Sequence, residues 1–129
     1  MQPSTPSQSG TILLIDDEAI IRTAVAEFLL LSGYSVLAAE DGQTGLEIFQ
    51  QQQEQITVVL LDVTMPVMSG MEVLKHIREL SADVPIILLS GLHEPEVLAE
   101  MSALPSTTFM RKPFRLNQLV ETITAIINS

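Results

Sequence analysis

Apolar and polar positions along this chain follow two alternating patterns. Thr11–Ile15 (TILLI), Thr57–Leu61 (TVVLL) and Pro85–Leu89 (PIILL) are short, almost unbroken apolar runs of strand length. Tyr34–Ala39 and Thr107–Met110 are strand-like as well. Between these runs the spacing becomes helical. Ala19–Leu31 carries a stripe through Ile21, Val25, Phe28 and Leu29, and Gly33 suits its stop. Gly42–Gln53 is helical and frays into QQQQEQ, most simply a solvated helix end. Gly70–Leu80 is helical, and Leu116–Ile127 closes the chain with Leu116, Leu119, Val120, Ile123 and Ile127 on one face. Pro95–Ala103 predicts a short helix, with Pro95 tolerable in its first turn.

These elements make five β–α units. Strands alternating with helices predict an α/β fold, a parallel five-stranded sheet covered on both faces. Runs such as TVVLL and PIILL suit strands buried on both faces. Sites in such sheets form beyond the carboxyl ends of the strands, at the point where the strand order reverses. After the first strand come Asp16, Asp17 and Glu18; Asp62 ends the third; Ser90 follows the fourth and Lys112 the fifth.

Three carboxylates in a row at the edge of a core repel one another unless something holds them. Mg²⁺ takes oxygen ligands, commonly one or two carboxylates with waters and phosphate oxygens. A bound cation relieves the repulsion. An aspartate can act as nucleophile and form an aspartyl-phosphate. A lysine and a serine can then hold the new phosphoryl oxygens. Each residue alone has a plainer use: Asp16 as a helix cap, Lys112 as a solvated surface cation, Ser90 as a turn serine. Those uses do not account for the four strand ends together.

Composition narrows the field. The chain has 129 residues, enough for one domain, and 47% are hydrophobic, which excludes a disordered chain. Six basic residues against sixteen acidic ones give 6 − 16 = −10, so direct nucleic-acid binding is not expected. No apolar stretch approaches the ~20 residues of a membrane span, and MQPSTPSQSG lacks the basic flank and apolar centre of a signal peptide. With no cysteine there is no disulfide, thiolate site or catalytic thiol. The expected location is the cytoplasm, with no membrane contact by this domain. Residues 1–10 read as a flexible polar arm or linker, and residues 11–128 as the folded domain.

The stretches LLIDDE, LLDVTMPVMSG, LLSG and MRKPF resemble, in order and spacing, the receiver domains of two-component response regulators over about residues 10 to 128. The resemblance implies a doubly wound (βα)5, flavodoxin-like sheet of order 2-1-3-4-5. It implies that Asp62 is the phosphoacceptor and that Asp16 and Asp17 form the acidic pair for Mg²⁺. Asp62 and the backbone carbonyl of Thr64 would be further metal ligands. Ser90 matches the switch hydroxyl, Lys112 the family's lysine and Phe109 the switch aromatic. Pro113 follows that lysine through a bond that is cis in the family. Met65, Pro66 and Gly70 fit the turn beyond the acceptor.

The implied function is a phosphorelay switch. A phosphohistidine on a histidine kinase or phosphotransfer protein would pass its phosphoryl group to Asp62 with Mg²⁺, and partner binding would change. Activity would be limited to self-phosphorylation and self-dephosphorylation. The donor would dock through the first helix, where Ile20, Ala24 and Leu31 lie off the core-facing stripe; packing at the sheet edge or against the loops is the alternative. An effector or output domain would use the fourth helix, fifth strand and fifth helix. His76 and His93 read as ordinary surface residues. The chain departs from the family pattern at Ser69, where an aspartate is common, and Phe109 lacks a hydroxyl. Leu92 is apolar where, with Thr64, it would tune dephosphorylation, so a long-lived phosphorylated state is expected, and Leu92→Glu would change its decay. The chain can be a stand-alone receiver or one belonging to a hybrid kinase or larger regulator.

A Mg²⁺-dependent phosphohydrolase with an aspartate nucleophile is the main competing reading. It needs a second aspartate two residues on, where Thr64 stands. A partner-binding pseudo-receiver and a flavodoxin-type cofactor binder are weaker. Every chemical position is filled, and no phosphate-binding glycine or hydroxyl-rich loop follows the first strand.

Overall fold

The computed structural model describes residues 10–63, 70–91 and 104–128. Thr64, Met65, Pro66, Ser69, Leu92, His93, the predicted helix Pro95–Ala103 and nearly all of the polar arm lie outside these residues. The elements are β1 (Thr11–Ile15), α1 (Ala19–Leu31), β2 (Ser35–Ala39), α2 (Gly42–Gln52), β3 (Ile56–Asp62), α3 (Gly70–Leu80), β4 (Ile86–Ser90), β5 (Thr107–Arg111) and α4 (Leu116–Ile127). Their bounds fall within a residue of the sequence expectations, except that Ser90 is the last residue of β4 rather than the first beyond it.

All strand pairs are parallel, in the order β2-β1-β3-β4-β5. The unbroken apolar runs are the central strands: Ile12–Ile15, Val58–Leu61 and Ile86–Leu89 are wholly buried. Alternate side chains feed two cores. Leu13, Ile15, Val59, Leu61, Ile86 and Leu88 pack with Phe49 of α2 and Leu74 and Ile77 of α3. Ile12, Leu14, Val58, Leu60, Ile87 and Leu89 pack with Val25 and Leu29 of α1 and Leu119 and Ile123 of α4. Burying each such aliphatic side chain contributes roughly 1.5–3 kcal/mol, so the sheet is the rigid centre of the molecule.

Local signals set the helix ends. α1 stops where Gly33 takes φ 100°. The Gly33 amide donates to the Leu30 carbonyl and the Tyr34 amide to that of Leu29, the paired bonds of a Schellman motif. Tyr34 is then buried, and its hydroxyl lies 2.8 Å from Thr124 Oγ1 of α4. α2 starts at Asp41, whose Oδ1 accepts from the Thr44 amide at 2.7 Å.

Register fixes what stands at the carboxyl ends. Ile15 is level with Leu61, so the next residues, Asp16 and Asp62, come out side by side. Asp62 is level with Leu89, and Ser90 with Arg111, which puts Lys112 one step beyond. β1 has β2 on one side and β3 on the other, so this pair stands where the chain reverses its direction across the sheet.

Candidate functional site

Asp16 and Asp62 are completely buried, although each is a carboxylate at the end of a strand. Asp17, next in the loop, is exposed. The three carboxylates bring oxygens within 4.8 Å of one another. At an effective dielectric of about 20, two full charges at that distance repel by roughly 3 kcal/mol. That exceeds the worth of most surface ion pairs.

Opposing charge is sparse. Lys112, mostly buried, places Nζ 3.5 Å from Asp62 Oδ1 and 4.0 Å from Glu18 Oε1. Glu18 thus competes with Asp62 for that ammonium, a role its place in the acidic run did not disclose. Burial raises the Asp16 carboxyl above its ordinary value. The Glu18 amide opposes that shift, the nearby Asp62 charge reinforces it and Lys112 offsets part of it.

The loop after β1 holds Asp16 in place. Its Oδ1 accepts from the Glu18 amide at 2.9 Å. The N-cap of α1 is Glu18, so Asp16 does not cap the helix as its plainer reading had it. Its Oδ2 is buried and accepts no hydrogen bond among the described residues. An orphaned buried oxygen beside two further carboxylates, with no nitrogen or sulfur donor in the cluster, fits a hard divalent cation such as Mg²⁺.

The remaining expected residues lie on the neighbouring elements. Ser90 is buried at the end of β4, and the Lys112 amide donates to its carbonyl at 2.8 Å. The Lys112–Pro113 bond is cis. Phe109 is half-buried on β5, level with Leu88 and against the core under α2 and α3. Gly70 opens α3 so close to the end of β3 that a Cβ there would lie 2.6 Å from Val63 Cα and 2.9 Å from the Asp62 carbonyl oxygen. No larger residue fits without moving the backbone beside Asp62. His76 is exposed with Glu79 at 3.4 Å, as expected of a surface residue.

A receiver-domain model, described as "Response regulator receiver domain", matches residues 12–124. This chain belongs to the response regulator receiver domain family. The receiver is 42% identical over 116 residues to response regulator RR06 of Streptococcus pneumoniae, covering 90% of this chain and 52% of that protein. It is 30% identical to the chemotaxis protein CheY of Bacillus subtilis, covering 91% of this chain and 97% of that one. It is 34% identical to the sensor kinase CckA of Brucella abortus, but covers only 12% of it. Receivers thus stand alone or within longer proteins, and this one spans about half of RR06. Among solved structures, CheY4 of Vibrio cholerae superposes with a TM-score of 0.84 at 33% identity, over 92% of this chain and 99% of that one. The receiver of the hybrid histidine kinase CckA gives 0.79 at 30% identity, over 92% and 99%. Receiver domains are signalling switches, which sets the class of function for this chain.

Spacing alone assigns Glu18 no role beyond its place in the acidic run, because its contact with Lys112 joins distant parts of the chain. Arg22, whose Nη1 donates to the Asp16 carbonyl at 2.8 Å, stands one helical turn after Glu18, and that spacing is the signal able to point to it.

Proposed function

We propose that this receiver, over residues 11–128 with a polar arm at 1–10, takes a phosphoryl group from a phosphohistidine onto Asp62 and thereby switches partner binding. The observation that carries the reading is the buried Asp62 carboxylate, 3.5 Å from Lys112 Nζ and clustered with Asp16 and Asp17. An Asp62 oxygen attacks phosphorus as the phosphorus–nitrogen bond breaks. The electron pair returns to the donor imidazole, which takes up a proton. Lys112 neutralises charge on the phosphoryl oxygens, and the Ser90 hydroxyl donates to one of them. Asp16, Asp17, Asp62 and the Thr64 carbonyl are the proposed ligands of Mg²⁺, which when bound screens the charge that gathers on the reacting oxygens. Ser90 and Phe109 change position together, and the two states differ in how firmly Ser90 holds the phosphoryl group.

The donor, a histidine kinase or a phosphotransfer protein, docks beside this centre. An apolar groove of about 490 Å³ lies between α1 and the loop after β5, lined by Ile20, Ala24, Pro113, Phe114 and Leu116, with Lys112 also in its lining. Ile20 is 86% exposed at its rim, and Leu31 is exposed farther along α1, so these residues do not pack at the sheet edge. Effectors or an output domain engage β5, α4 and the 95–103 segment. No described helix is long and apolar enough to cross a membrane, and the proposed setting is cytoplasmic.

Intact-mass spectrometry after incubation with Mg²⁺ and a small-molecule phosphodonor tests the chemistry. One added phosphoryl group is expected, absent with chelator and absent in Asp62→Asn. Phosphoryl uptake undiminished in Asp62→Asn would overturn the assignment.

A further inference from the structure

Asp16 is fixed from three sides. Its amide donates to the Ala39 carbonyl at 3.1 Å, which ties it to the end of β2. Its Oδ1 accepts from the Glu18 amide. Its own carbonyl, past the last residue of β1, accepts from Arg22 Nη1 at 2.8 Å. The Arg22 amide meanwhile donates to the Glu18 carbonyl at 2.8 Å, the first rung of α1. One residue therefore joins the helix to both sides of the acidic loop. With Oδ1 engaged, Asp16 has one oxygen left to offer, Oδ2.

We propose that Arg22 is a positioning residue for the divalent-cation site: its guanidinium fixes the Asp16 carbonyl and so presets the loop that presents Asp16 and Asp17. This rests on the cation-dependent reading given above. A rigid loop binds a cation without having to be ordered first, and groups that orient a ligand in this way commonly affect metal affinity by about 10–100-fold.

Charge and geometry predict opposite outcomes, which makes the proposal testable. Arg22 is a cation beside an anionic site. If it acted through charge alone, its removal would tighten cation binding. If it acts through position, its removal weakens binding.

The experiment measures free Mn²⁺ by electron paramagnetic resonance, with Mg²⁺ as competitor, for wild type, Arg22→Met and Arg22→Lys. Melting temperatures in chelator report the fold. The expected result is roughly tenfold weaker binding in Arg22→Met and recovery to within about threefold in Arg22→Lys, whose ammonium keeps a donor for the carbonyl. Equal or tighter binding in Arg22→Met overturns the proposal, as does an equally large loss in a folded Arg22→Lys. Failure of wild type to bind either ion overturns the underlying site reading as well, so the two failures are distinguishable. A measurement on wild type guards against a Met variant that does not fold. The NMR coupling across the hydrogen bond from the Arg22 guanidinium to the Asp16 carbonyl carbon should persist when Mg²⁺ is added. Its absence, or its loss on adding the ion, overturns the proposal.

Discussion

The two ends of the β-sheet treat buried charge in opposite ways. At the amino ends, the half-buried Arg78 of α3 donates to the carbonyls of Ser81 (3.2 Å), Val84 (2.7 Å) and Ser106 (3.0 Å) and to Thr107 Oγ1 (3.2 Å). It ties α3 to the starts of β4 and β5; these hydrogen-bond partners are neutral, and the nearby Asp83 charge offsets part of the effect of burial. At the carboxyl ends, Asp16 and Asp62 are buried beside each other and beside Asp17, with the Lys112 ammonium and the Arg22 guanidinium as nearby cations. Burial pushes both Arg78 and Asp16 toward their neutral forms. The difference lies in what surrounds them. A charge with most of its donors met by neutral acceptors serves stability, although Arg78 Nε is itself buried without a hydrogen bond among the described residues. One that faces like charges destabilises the resting protein and leaves room for a ligand to relieve it.

Substitution at each end separates the two roles, and the largest expected effect is at Asp62. Asp62→Asn removes a charge from the cluster while keeping its shape. We expect phosphoryl uptake to vanish by intact mass, and the melting temperature in chelator to hold or rise by a few degrees. A large fall in melting temperature would mean that the carboxylate supports the fold, and the contrast between the ends would fail. Arg78→Met should do the reverse. It abolishes four hydrogen bonds and leaves the Val84 carbonyl to find another donor, while the Ser106 carbonyl keeps the Ile86 amide. We expect a loss of about 3 kcal/mol, a fall in melting temperature on the order of 10 °C, with phosphoryl uptake per folded molecule unchanged.

Gly70→Ala probes how closely the backbone supports the site. Its new methyl would collide with the backbone of Asp62 and Val63, where a flexible side chain cannot yield. We expect phosphoryl uptake to slow by about tenfold, since a shift of roughly 1 Å at a reacting group can cost up to a hundredfold. Stability should fall by about 1–3 kcal/mol. Uptake at the wild-type rate would show that the α3 entry does not set the position of Asp62.

Sequence made the amino-to-carboxyl polarity of the sheet legible and left much of the contrast hidden. TVVLL and PIILL announce strands buried on both faces, and following each strand to its end found Asp16, Asp17, Asp62, Ser90 and Lys112. Strand order came from family resemblance, because periodicity does not say which strands are neighbours. Arg78 gave no signal: an arginine in the last turn of a helix is ordinary, and its four acceptors lie 3, 6, 28 and 29 residues away. Arg22 is a near case, since its partner Asp16 is only six residues back. Its role still depends on a loop geometry that spacing alone does not reveal. Asp41 differs again: it is the N-cap of α2, a common residue in a common place.

Acid titration gives the smallest effect and a sharp test of sign. The folded Asp16 carboxyl holds its proton more tightly than the unfolded chain, whose value is near 3.8. Its favourable contribution is therefore complete below that pH and is lost as pH rises through the folded value. Asp41 behaves in the opposite sense. The Thr44 amide, first among its causes, holds its carboxyl below the ordinary 3.8, so its contribution is present above that pH and is lost as pH falls through the folded value. In chelator, Asp16→Asn should gain on wild type as pH rises from about 4 toward neutrality, and saturating Mg²⁺ should shrink that gain by stabilising wild type. Asp41→Ala should be weaker than wild type near neutrality and close the gap as pH drops below about 4. The chain has no tryptophan, so urea unfolding followed by circular dichroism between pH 3 and 7 is the suitable readout. If both variants diverge from wild type in the same direction with pH, then Asp16 is a satisfied structural carboxylate like Asp41, and the two ends of the sheet no longer differ in kind.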